Sequence, residues 1–238
     1  MATFDEFYQS LDPDSGIRGK QFEKFVKWFL KTDPRWENQV KDIWLWEEHP
    51  LRSEWGPDCG VDLVFEHVNG ECWAVQAKCF APSNAIKKED MNSFIAESID
   101  SRFQKRLLVT TTNLIGPNVD RLLERHQVVR ILLDDLVSAN VEYPVSPQNY
   151  SNAKRKDPLT PRLHQKVAIK DVCQRLINED RGQVLMACGT GKTLTTLWIK
   201  EELKSELTLI LVPSINLLAQ TLREWTRSSK LKANYLCV

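Results

Sequence analysis

The chain has 238 residues, 42% hydrophobic and 27% charged, with 9 Gly and 11 Pro. This describes a folded protein of one large domain or two modest ones and excludes a disordered, collagen-like or low-complexity chain. Formal net charge is zero, yet residues 1–140 hold 17 basic against 23 acidic side chains and residues 141–238 hold 15 against 9, a swing from −6 to +6 that points to two modules.

No apolar run reaches the ~18–20 residues of a membrane span, and the start MATFDEFYQSLDPDSG lacks the basic-then-apolar order of a signal peptide. A cytoplasmic protein with no membrane partner is expected. The six cysteines include no CxxC pair and the four histidines fit no zinc spacing, which argues against a disulfide scaffold or a zinc site.

In chain order, Phe22, Phe25, Val26, Phe29 and Leu30 fall on one stripe and predict a helix from about Lys20 to Leu30. Strands are expected at Val40–Trp46, Val61–Val68 and Cys72–Cys79, then a helix near Lys87–Ile99, a strand at Arg106–Thr111, a helix at Asn118–Arg125 and a strand at Val128–Leu132. This is a mixed α/β domain over residues 1–140. Residues 141–160, with their prolines, small polar residues and the basic run Lys154-Arg155-Lys156, read as a linker. Helices at Leu163–Asn178, Lys192–Lys204 and Ser214–Ser228 then alternate with apolar strands at Gln183–Ala187 and Leu207–Val212 and a last strand near Asn234–Val238, as in the βαβ units of a parallel sheet over residues 161–238.

Along Val61–Phe80 each of two strands alternates apolar and polar residues. If both apolar faces enter one core, facing residues must have numbers of even sum. The expected register sets Leu63 across from Ala77, Phe65 from Val75 and Asp62 from Lys78, around a three-residue loop Asn69-Gly70-Glu71 with Gly70 left-handed. One face then gathers the Asp62 carboxylate, the Gln76 amide and the Lys78 ammonium, with the backbone oxygen of Ala77 nearby. Such oxygen donors suit Mg²⁺, and a lysine beside them can orient a nucleophile or offset charge on phosphorus, as hydrolysis of a nucleic-acid backbone requires. The pattern alone better fits a solvated hairpin face bearing a surface salt bridge.

With Gly-Pro-Asp-Cys-Gly-Val-Asp (56–62) ahead of the first strand and Phe-Glu-Lys-Phe (22–25) on the first helix, residues 16–136 resemble the Mrr-like branch of the PD-(D/E)XK nucleases. The resemblance implies a restriction-endonuclease-like mixed sheet flanked by helices. Its site would comprise Glu23, Asp58, Asp62, Gln76 and Lys78, with Asp62, Gln76, the Ala77 oxygen and Glu23 as metal ligands. Gln76 stands where an acid is usual; a neutral ligand holds a divalent ion less strongly, so Glu23 and Asp58 gain weight as oxygen donors.

Met186-Ala-Cys-Gly-Thr-Gly-Lys-Thr193 follows an apolar strand and opens a helix, the context of a phosphate loop. Gly189, Thr190 and Gly191 turn backbone N–H groups inward, Lys192 reaches the β- and γ-phosphates of ATP, and Thr193 can ligate its Mg²⁺. Met186 holds the first glycine position of the strict pattern. Pro161–Ile169, with Arg162 and Gln165, resembles the adenine-contacting segment of superfamily 2 helicases, and Leu209–Trp225 resembles their motif Ia. This implies the first part of a RecA-like lobe over residues 160–238. No DExx acid pair follows, so no ATP turnover is expected.

The order nuclease then motor resembles the N-terminal portion of an ATP-dependent, Type ISP-like restriction enzyme. Its partners would be double-stranded DNA and the rest of a parent polypeptide: a second helicase lobe with methyltransferase and target-recognition modules. The competing reading keeps the fold but makes the first domain an inactive DNA-binding or assembly module.

Overall fold

The computed structural model describes residues 2–57, 60–150, 159–187, 189–231 and 235, and the chain divides into two compact units, residues 1–156 and 157–238. Among the described residues no helix is long and apolar enough to cross a membrane.

The first unit runs α1 (Phe4–Gln9), α2 (Ser15–Thr32), β1 (Val40–Leu45), a 3₁₀ turn (Trp46–Glu48), α3 (Arg52–Trp55), β2 (Leu63–His67), β3 (Cys72–Lys78), α4 (Glu89–Ser98), β4 (Lys105–Thr110), α5 (Pro117–Arg125), β5 (Val128–Ile131) and α6 (Leu133–Val137). The five strands form one sheet in chain order, antiparallel from β1 to β3 and parallel from β3 to β5. The parallel steps need crossovers, which α4 and α5 supply.

Helix α2 begins five residues before the expected Lys20 because Asp14 caps it, its Oδ1 accepting the N–H groups of Gly16 and Ile17 at 3.0 Å. Apolar periodicity shows where a buried stripe starts, not where the helix does. That stripe, Phe22, Phe25, Val26, Phe29 and Leu30, is wholly buried against Leu63, Phe65, Trp73, Val75, Leu107 and Val109 on one face of the sheet. Each such side chain contributes roughly 1.5–3 kcal/mol of transfer free energy. On the opposite face Val64, Ala74 and Leu108 pack with Met91 and Phe94 of α4 and Val119 and Leu123 of α5. The hairpin face expected to be solvated is therefore the floor of a second core.

The β2–β3 register has an even sum, but its pairs are Leu63 with Val75, Val64 with Ala74 and Phe65 with Trp73. It differs by two residues from the expected pairing of Leu63 with Ala77. The cause is the turn. His67 N donates to Glu71 O at 2.8 Å, which makes the loop Val68-Asn69-Gly70, and Gly70, at φ 89°, is its last residue rather than its middle one. A three-residue hairpin loop is a type I turn followed by a left-handed residue, so the glycine belongs at the end. A shift of two preserves the faces and changes the partners.

The segment read as a linker from residue 141 is instead packed through its aromatic residues. Val141 and Tyr143 are buried, Tyr143 lies edge-on to Phe4 at 5.5 Å and donates to Leu136 O, and Tyr150 Oη donates to Gln21 O at 3.3 Å. Proline and small-residue content hid three anchors. Lys154, Arg155 and Lys156 lie outside the described residues.

The second unit contains α7 (Leu163–Arg175), α8 (Lys192–Glu202) and α9 (Ile215–Ser228), packed around Leu197, Trp198 and Trp225. Among its described residues there is no paired strand. The segments Gln183–Ala187 and Leu207–Val212 are extended in composition only, with Leu185 88%, Leu207 92% and Leu211 83% exposed. A strand exists through its ladder, and among the described residues these segments have no strand partner. The strand expected at Asn234–Val238 lies outside the described residues apart from Tyr235.

Candidate active site

The ends of β2 and β3 bring together residues that are 14 and 15 positions apart in the chain. Asp62 Oδ2 accepts both the Gln76 side-chain amide and, at 2.7 Å, the backbone N–H of Ala77. The atom of Ala77 joined to Asp62 is thus its N–H. Gln76 is only 1% exposed, and its Oε1 is buried without a hydrogen-bond donor among the described residues. Leaving such an acceptor bare costs on the order of 1–3 kcal/mol.

Strand alternation places Lys78 on the same face as Gln76, since Trp73, Val75 and Ala77 all enter the α2 core. Lys78 is half-exposed, and no ion pair of its ammonium is found among the described residues. The ion pair that this hairpin does carry joins its Glu66 to Lys41 of β1, 2.7 Å apart. Glu23 lies half-buried on α2, the helix that packs against β1 and β3. Asp58 lies outside the described residues. Among the described residues no three His, Cys, Asp or Glu side chains group as a metal site.

The segment after Lys78 is moored by hydroxyls that the sequence reading passed over. Phe80 N donates to Thr111 Oγ1 at 2.8 Å, Thr111 Oγ1 donates to Phe80 O at 2.6 Å, and Thr112 Oγ1 donates to Pro82 O at 3.1 Å. The available signal was a run of three threonines closing an otherwise apolar strand. Burial pushes the Cys79 thiol up to about 11, only partly offset by its bond to Thr111, so this neighbour of Lys78 stays protonated near neutrality and is no nucleophile.

In the second unit the glycine loop is formed. Gly189 and Gly191 have φ of 77° and 81°, and Gly191 is the left-handed residue that opens α8. Lys192 Nζ donates to Met186 O at 3.0 Å and Ala187 O at 2.9 Å, and Thr190 Oγ1 donates to Ala187 O at 2.7 Å. Gln165 is buried between the start of α7 and the loop: its Oε1 accepts Arg162 N at 2.8 Å and its Nε2 donates to Thr190 O at 3.1 Å. The Arg162 side chain is exposed. The backbone of Thr193 accepts the Trp225 indole at 2.8 Å, which ties α9 to the loop.

Residues 31–153 match the family described as a restriction endonuclease, and since that span is more than half of the chain, the chain belongs to this family. Residues 158–236 match the family described as the res subunit of Type III restriction enzymes, so a restriction-endonuclease domain is joined here to a helicase-like region. Among solved structures, the ATP-dependent Type ISP restriction-modification enzyme LlaBIII bound to DNA aligns with a TM-score of 0.75 at 33% identity, covering 90% of this chain and 14% of that one. UvrABC system protein B of Bifidobacterium longum (strain NCC 2705) is 42% identical over 71 residues, 29% of this chain and 10% of that protein. The same protein of B. longum subsp. infantis matches with the same figures. The chain spans a small part of the length of each.

Proposed function

We propose that the first unit is a Mg²⁺-dependent DNA endonuclease whose site is Asp62, Gln76 and Lys78, with Glu23 and Asp58 as further oxygen donors, and that the second begins an ATP-driven DNA motor. The observation that carries this is the meeting of Asp62 with Gln76, whose bare and buried Oε1 is what a cation ligand looks like before the cation binds. A divalent ion there would be held by Asp62, Gln76, the Ala77 oxygen and Glu23, and when bound it would polarise the phosphodiester and acidify a water. The chain's own part is to fix the Asp62 carboxylate through the Ala77 N–H, to keep the second core dry beneath it, and to offer the Lys78 ammonium to charge developing on phosphorus.

For the second unit, Gly189, Thr190 and Gly191 supply backbone N–H groups to the phosphates of ATP. Lys192 would exchange the carbonyls of Met186 and Ala187 for the β- and γ-phosphates, and Thr193 would ligate the nucleotide's Mg²⁺. Arg162 and Gln165 stand at the adenine-contacting positions. Double-stranded DNA is the partner proposed for both units, together with further modules of a parent restriction enzyme.

The alternative of a non-cleaving DNA-binding or assembly module is favoured by the amide of Gln76 where an acid is usual and by the 17 basic against 23 acidic side chains of residues 1–140. Nicking of a supercoiled plasmid by the chain with Mg²⁺, abolished by a chelator, separates the two. Retention of DNA with no metal-dependent nicking would sink the nuclease reading.

A further inference from the structure

Three successive threonines close β4 and begin the loop after it, and all three are fully buried, but they are not equivalent. Thr111 and Thr112 use their hydroxyls to hold Phe80 and Pro82, and Thr112 also accepts Leu114 N at 3.1 Å. Thr110 Oγ1 has no hydrogen-bond partner among the described residues. A residue kept only for its shape would be valine there, with no desolvated hydroxyl to leave unmatched.

The register says what lies beside it. In the parallel β3–β4 pair Gln76 is level with Leu108 and Lys78 with Thr110. Laterally paired residues point to the same face, and Leu108 enters the α4–α5 core while Leu107 and Val109 enter the α2 core. Thr110 therefore shares the face of Gln76 and Lys78 and is the direct neighbour of Lys78. Two buried polar atoms without partners, Gln76 Oε1 and Thr110 Oγ1, thus occupy one face of the same two strands, next to an ammonium with no ion pair among the described residues. An ammonium has three donors and no acceptor, whereas a hydroxyl can accept.

We infer that Thr110 is a positioning residue of the nuclease site, its hydroxyl the fixed acceptor that orients the Lys78 ammonium when a phosphodiester is engaged. This rests on the nuclease reading above. A lysine ammonium on a flexible four-carbon stem attracts phosphate wherever it points, but it stabilises a transition state only where charge develops. Losing its anchor should therefore lower kcat and leave KM for DNA in place.

The test is steady-state nicking of supercoiled plasmid by the full chain in Mg²⁺, with a denaturation midpoint for each variant. Thr110→Val should cut about tenfold or more slowly with KM within about twofold, and its midpoint should stay level or rise. Thr110→Ser should keep a rate within about threefold of wild type while Thr110→Ala loses it, a contrast that separates hydroxyl from packing. Wild-type cutting by Thr110→Val, or equal losses in the Ser and Ala variants, would overturn the inference while leaving the site intact. If Asp62→Ala and Lys78→Ala also cut normally, or wild type does not cut, the nuclease reading itself fails and takes this one with it.

Discussion

In the first unit the side chains of interest come from two strands and meet because the β2–β3 register brings Asp62 to Gln76 and Ala77, between two cores. In the second unit the cradle is five consecutive residues, Gly189–Thr193, and its internal bonds run from Lys192 to Met186 and Ala187 and from Thr190 to Ala187. The apolar segments on either side of that cradle are open to solvent, yet the glycines are already left-handed and α8 already starts at Lys192. The first site inherits its geometry from strand register and two cores, while the second combines local dihedrals and a helix start with bonds from Gln165 and Trp225 of its own unit. Damage to a core should therefore abolish the first function and spare the second.

The largest effect expected on this contrast is chemical. Asp62→Ala or Lys78→Ala should reduce Mg²⁺-dependent plasmid nicking by on the order of 100-fold or more, the scale of losing a group aimed at transition-state charge. DNA retention should stay within a few-fold, because phosphate contacts elsewhere position the duplex. Either variant cutting at the wild-type rate would refute the assignment.

Next comes packing. Phe25, wholly buried in stacked contact with Phe7 at 4.6 Å and Phe22 at 5.6 Å, should cost about 3–5 kcal/mol when replaced by Ala. Thermal unfolding followed with an ATP-binding readout should show the first unit lost at a lower temperature with nucleotide affinity retained. Parallel loss of both would show that the cradle is not local after all.

How much of this was legible in the sequence follows the same division. The shape of the glycine loop could be read from the sequence, because glycine dihedrals and the helix start are neighbours in the chain. The polar trio of the first unit was legible in kind, since strand alternation alone sets faces. Its pairing was misjudged by two residues because the turn type, not the hydrophobic pattern, decides register once the parity is right. Burial of the second face was invisible, for Val64 and Ala74 alternate with Asp62, Glu66 and Gln76 and the covering helices lie later in the chain. Tyr143 and Tyr150 were discounted because their surroundings are rich in proline. The runs Leu107-Leu108-Val109 and Leu209-Ile210-Leu211 read alike, yet only the first is a strand with neighbours on both sides.

Within the second unit, Gly191→Ala should have the larger of two local effects. An added Cβ would stand 2.6 Å from Gln165 Nε2 at a φ of 81°. The left-handed conformation alone costs an L-residue roughly 1–2 kcal/mol, and Gln165 must also leave the loop carbonyls. Calorimetric Mg·ATP binding should fall below that of wild type while plasmid nicking is unchanged. Lys192→Ala should weaken Mg·ATP binding about tenfold, the loss of one charge-assisted contact to phosphate.

The smallest effect is the one that tests the contrast at equal chemistry. Leu107 and Leu209 are the same side chain in similar apolar runs, but Leu107 is fully buried between β3 and β5 whereas Leu209 is 82% exposed. Replacing Leu107 by Ala removes contacts on every side and leaves a cavity that the sheet cannot close, at a cost of about 2–5 kcal/mol. Replacing Leu209 by Gln removes almost no buried area and exposes no new polar group to a core, so the denaturant midpoint should move by less than the equivalent of about 0.5 kcal/mol. The same change should also raise solubility, because alternate leucines at 207, 209 and 211 present an apolar row to water. A loss of more than about 1 kcal/mol for Leu209→Gln would mean that residues 207–212 are packed in solution. The second unit would then be a sheet-built domain like the first, and the distinction between a register-made site and a loop-made cradle would have to be given up.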